Sequence, residues 1–130
     1  MSVLESHPSS PSWSQRARKP ARAMAWILAA TVVFVTLGPQ GLRPHLADAQ
    51  VERFGAYFVT AATFVVGYPR RPRLIALFAV CAAILLEIGQ AFAPGRDPGV
   101  PDAIAKALGG LCGAAASMVL LRFRPRAVGP

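Results

Sequence analysis

Acidic side chains are scarce in this chain. There are six of them against fourteen lysines and arginines, and charged residues of both signs make up only 15% of the sequence. A soluble globule carries about 25%, so an ordinary water-exposed domain is excluded. Histidine and cysteine are equally thin, with two of each. His7 and His45 lie in polar segments far apart, with no ligand spacing around them, so no metal site is expected. Cys81 and Cys112 each fall inside an apolar run; they form no disulfide framework and read as small apolar side chains in helix packing. A Walker loop, a zinc motif and a nucleophile–base arrangement are also missing. No cofactor is expected, and the reading leans away from an enzyme.

Apolar sequence is what the chain has in quantity. Hydrophobic residues make up 54% of its 130 residues and the mean hydropathy is +0.43. That length supports one domain. Four apolar runs, at about 23–38, 54–68, 74–93 and 103–121, read as membrane helices. Spanning hydrocarbon takes roughly 20 residues, with about 17 as a working minimum. The third and fourth runs meet this. The first two are slightly short and must borrow flanking residues, with Arg22 and Arg53 snorkelling.

The fold class expected is therefore an all-α membrane protein with four transmembrane helices and both termini cytoplasmic. Residues 1–20, rich in Ser and Pro, read as a disordered basic cytoplasmic tail. Residues 21–122 form the four-helix membrane domain, and 123–130 a short basic cytoplasmic tail. A cleaved signal peptide is the rival reading of the first run, since Ala47-Asp48-Ala49 resembles a cleavage site. A polar stretch with Pro39, Arg43, Pro44 and His45 separates that site from the run, which favours a retained helix.

The net charge of +8 is distributed as topology signals, not as a nucleic-acid footprint, and no nucleic-acid module appears. Arg16, Arg18, Lys19 and Arg22 precede the first run; Arg70, Arg71 and Arg73 sit between the second and third; Arg122, Arg124 and Arg126 follow the fourth. The other two loops hold mainly Arg43, Arg53 and Arg96, balanced by Asp48, Glu52, Asp97 and Asp102. The positive-inside rule then puts both termini and the middle loop in the cytoplasm, in a bacterial inner membrane. Trp13, Trp26 and Tyr68 read as interfacial anchors or tail residues.

That topology gathers nearly all the acids at the outer end. Glu87 and Gln90 share a face near the end of the third run. Asp102 and Lys106 share a face at the start of the fourth, the acid at the helix N-terminus where the dipole favours it. Asp97 and Asp102 are candidate caps. Glu87 pairing with Lys106 or with Arg96 fits this geometry, and Glu52, Arg53 and Tyr57 complete the cluster. Ionisable groups at membrane depth are costly and point to function, although an acid and a base on adjacent helices also serve packing alone. Gly109, Gly113 and Ser117 recur every four residues as a small-residue ridge. The third run, joined by a short loop, is its expected neighbour.

The segments Glu87-Ile88-Gly89-Gln90 and Pro94-Gly95-Arg96, followed by Asp102, Lys106, Gly109 and Gly113, resemble the VanZ-like family, as does Arg53-Phe54-Gly55-Ala56-Tyr57-Phe58. The resemblance covers about residues 39–117 and implies a small multi-span membrane protein. Its namesake is associated with low-level resistance to the glycopeptide teicoplanin. The chain departs from the pattern at Arg53, where many members carry histidine, and at Lys106, where asparagine is common.

The functional expectation is an outward-facing polar pocket of Glu52, Arg53, Glu87, Gln90, Arg96, Asp102 and Lys106. It binds an envelope lipid, a lipid-linked precursor or a lipoglycopeptide, and contributes to glycopeptide resistance or envelope homeostasis. Alternatives are a membrane-embedded hydrolase or transferase with Glu87 or Asp102 as general base, and a small oligomeric transporter. A homo-oligomer would use the glycine ridge.

Overall fold

In the computed structural model, residues 13–38, 48–93 and 99–123 are described. They form four helices: α1 (Trp13–Leu37), α2 (Ala49–Gly67), α3 (Pro72–Ala91) and α4 (Val100–Arg122). Successive helices run in opposite directions. Arg22 near the start of α1 meets Gly67 at the end of α2, the end of α3 meets the start of α4 through Glu87 and Lys106, and the starts of α2 and α4 meet through Arg53 and Asp102. The bundle therefore has two chemically distinct ends. Among the described residues, Asp48, Glu52, Glu87 and Asp102 lie towards one end, and Arg70, Arg71, Arg73 and Arg122 lie at the other.

Three of these helices are long and apolar enough to cross a membrane: α1 from Gln15, α3 and α4. The exception is α2, whose first turns carry Gln50, Glu52 and Arg53. It nevertheless packs against all three other helices. Its Ala61 and Val65 join Ala114 of α4 in the core, with Ile75 and Ala76 of α3 packed alongside.

The helix starts differ from the hydrophobic runs. The segment expected to be disordered up to residue 20 is helical from Trp13, with Pro20 inside the helix. Gln, Arg, Lys and Ala around it are strong helix formers, and their summed preference carries the helix through the one residue that cannot donate. At α2, the Asp48 side chain accepts from the Gln50 amide at 3.3 Å and moves the start back to Ala49. Gly99, not Asp102, is the N-cap of α4. Asp97, the other expected cap, lies outside the described residues.

The ridge of Gly109, Gly113 and Ser117 does not face α3. A Cβ on Gly109 or Gly113 would collide with the backbone carbonyls of Phe54 and Phe58 in α2, and the Ser117 hydroxyl donates to the Ala62 carbonyl at 3.3 Å. The adjacent stripe of α4 faces α3, where a Cβ on Gly110 would lie 2.7 Å from the Ala79 Cβ. Loop length made α3 a neighbour of α4, but the rotation of α4 gives the ridge to α2. Cys81 and Cys112, expected in helix packing, are free and exposed on outward helix faces. A thiol behaves as a small hydrophobe, so a hydrocarbon surrounding tolerates both.

Candidate polar site

Four side chains make the centre of the polar end. Glu87 lies one turn before the end of α3, where its carboxylate reaches the start of α4. Lys106 donates to Glu87 Oε2 at 2.6 Å, and the Gly99 amide donates to Oε1 at 2.9 Å. Side-chain exposure is 1% for Lys106 and 12% for Glu87. The ammonium is therefore sealed in the bundle, with the carboxylate as its counter-charge. Gly99 has no side chain to cap α4, so Glu87 supplies that cap from another helix, at the positive end of the α4 dipole.

The second ion pair lies nearer the surface. Asp102, in the first turn of α4, accepts from Arg53 at 2.5 Å and from the Gln50 side chain at 2.6 Å, both on Oδ1. Exposure here is 25% for Arg53 and 16% for Asp102. Gln50 and Arg53 are three residues apart, on one face of α2. The expected sharing of a face by Asp102 and Lys106 is real, but they serve different partners: Asp102 turns to α2 and Lys106 to α3.

Gln90 does not join the charges. Its amide donates to the Thr36 carbonyl of α1 at 3.0 Å, satisfying a carbonyl in the last turn of that helix. Glu52, in the first turn of α2, is partly exposed. Arg96 lies outside the described residues. Gln50 and Thr36 escaped the sequence reading. Gln50 carried a usable signal, its i, i+3 spacing to Arg53, whereas nothing in the sequence marks the Thr36 carbonyl as a partner.

Tyr57 sits one turn below Arg53. Its hydroxyl is buried against the Thr36 side chain, its nearest hydrogen-bonding group, but in a geometry too poor to satisfy the phenol fully. An unsatisfied buried donor costs about 1–3 kcal/mol. Tyr57→Phe is therefore expected to leave stability unchanged or raise it by about 1 kcal/mol, measured by denaturant titration in micelles. A clear loss would show that the hydroxyl has a partner.

Chemically, the centre of this end is two neutralised pairs, Glu87–Lys106 and Arg53–Asp102. Both Glu87 oxygens are engaged within the protein, and no group of three or more potential metal ligands exists among the described residues. Among the described residues, the Arg53–Asp102–Gln50 layer keeps donor capacity within reach of solvent. Comparison with protein-family models, curated proteins and solved structures finds no match to this chain.

Proposed function

We propose that this chain is a VanZ-like, four-span protein of the bacterial inner membrane, with both termini cytoplasmic and the polar end facing outward. α2 is the fourth span, completed by its polar first turns at the outer interface. The polar end binds the anionic headgroup of an envelope lipid, a lipid-linked precursor or a lipoglycopeptide, and the protein thereby contributes to glycopeptide resistance or envelope homeostasis.

The observation that carries this reading is the division of labour between the two ion pairs. Glu87–Lys106 is buried and closed, so it holds α3 against α4. Arg53 is a quarter exposed and spends one terminal nitrogen on Asp102. A guanidinium presents five N–H donors in a planar fork suited to phosphate and carboxylate. Asp102 and Gln50 fix the arginine's position, and its remaining donors take the ligand. In this reading Glu87 is a support and not a general base.

Binding of teicoplanin and of a polyprenyl pyrophosphate to the full chain in micelles tests the proposal. A charge-assisted hydrogen bond is worth about 1.5–3 kcal/mol, so Arg53→Ala is expected to weaken binding of at least one probe by tenfold or more. Arg53→Lys should fall in between, keeping charge but losing the fork. Equal binding by wild type and Arg53→Ala, or no binding of either probe, overturns it.

A further inference from the structure

Through the middle of the bundle the helices leave a cleft, running from Trp26 and Ile75 on the side of the basic end up to Val33 and Leu86. α1 and α3 meet near their C-termini, where Gln90 bonds the Thr36 carbonyl and a Cβ on Gly89 would lie 3.5 Å from Leu37. Away from that contact each leans on a different partner. Trp26 of α1 packs edge-on against Phe64 of α2, with ring centroids 5.2 Å apart, while Ile75 of α3 packs against the α2–α4 core. Between α1 and α3 lies a cavity of about 580 Å³, floored by Tyr57, Ala61 and Phe64 of α2 and walled by Val33, Phe78 and Ala82. Alanines on the facing helices make the walls recede.

The α3 wall runs from Ile75 to Leu86. At 1.5 Å per residue it covers about half of the roughly 30 Å hydrocarbon thickness, the depth of one leaflet. The far end is closed by the Gln90–Thr36 contact. The near end is basic. Arg22 lies one turn before Trp26 and Arg71 one turn before Ile75, the two residues that begin the walls of α1 and α3. Arg22 is held in place: its Nε donates to the Gly67 carbonyl at 2.9 Å and its guanidinium lies 4.7 Å from the centre of the Tyr68 ring. The Trp26 indole donates to the Tyr68 hydroxyl at 3.2 Å, and the Arg71 amide to the Tyr68 carbonyl at 3.1 Å. Among the described residues, the two salt bridges both lie at the other end of the bundle, and neither arginine takes part in them.

We infer that this cleft is a site for one anionic phospholipid of the leaflet at the basic end, with an acyl chain between α1 and α3 and its phosphate at Arg22 and Arg71. Charge complementarity identifies the occupant. An apolar slot one leaflet deep, closed at the far end and flanked by cations at its mouth, matches a chain with a negative head. The inference is independent of the polar-end reading, since it uses neither Arg53 nor the ligand proposed there.

Trp26 lines the slot and serves as reporter in a Trp13→Phe background. The full chain is placed in phosphatidylcholine vesicles containing a small fraction of chain-brominated phosphatidylglycerol, or of chain-brominated phosphatidylcholine. Quenching of Trp26 by the anionic lipid is expected to exceed that by the neutral one at equal fraction. Each arginine near the surface contributes about a fivefold preference, so Arg71→Gln should cut the excess about fivefold. Ala82→Phe, which fills the slot without touching either arginine, should abolish it. Equal quenching by the two lipids overturns the inference. So does an excess that survives Ala82→Phe, which would mark diffuse surface attraction. Chemical crosslinking that places a second copy over Trp26 does so as well.

Discussion

Glu87→Gln is expected to cost the bundle about 3 kcal/mol, the lower end of the range for removing one partner of a buried ion pair. The substitution keeps the shape and one acceptor for the Gly99 amide, but it removes the counter-charge of an ammonium that is 1% exposed. Lys106 would be left as a buried ammonium without a counter-charge, so the α3–α4 contact must open to hydrate it. The double variant Glu87→Gln/Lys106→Met removes both charges and should recover most of the loss, because an apolar replacement of a buried pair is often neutral or better. Denaturant titration of the two variants in micelles, followed by helical circular dichroism, separates the cases. If Glu87→Gln lies within about 0.5 kcal/mol of wild type, a value ordinary for surface changes, the pair does not hold the helices and its retention calls for another explanation.

The two-ended character of the bundle was legible in the sequence, because charge position along an apolar chain is one-dimensional information. The acids cluster between alternate runs and the arginines between the others, and antiparallel helices bring each set to a common end. The pairing of Glu87 with Lys106 was legible as one of two, beside Arg96, because the two residues lie about one and two turns inside helix ends joined by a short loop. Rotation about the helix axis was not. Whether Asp102 turns to Lys106 or to Arg53, and whether the Gly109–Gly113 stripe meets α2 or α3, depends on how α4 is rolled. Nearly all its faces are apolar or small, so hydrophobicity gives no direction. The apolar slot was invisible for a related reason. Alanines in a span read as ordinary packing residues until the facing helices are seen to diverge.

That roll carries the second large effect. Gly113→Leu is expected to cost about 3 kcal/mol, the upper part of the range for overpacking. The first atom a Cβ meets there is the Phe58 carbonyl oxygen, followed by the carbonyl carbon and Cα of the same residue. A flexible side chain would step aside, but a helical backbone moves only with its whole helix, and here that helix is α2, which carries Arg53 and the core residues Ala61 and Val65. Gly55, on the same helix α2, has nothing within 4 Å of its would-be Cβ. Gly55→Ala should therefore stabilise, by up to about 1 kcal/mol from helix propensity alone. Opposite signs at two helical glycines arise from geometry and not from composition, so the pair tests the roll of α4 directly. If Gly113→Leu is tolerated, α4 does not present this face to α2, and the ridge is free for a second copy of the chain. If it is destabilising while Gly55→Ala is not, the ridge is used within the chain and any self-association has to use another surface.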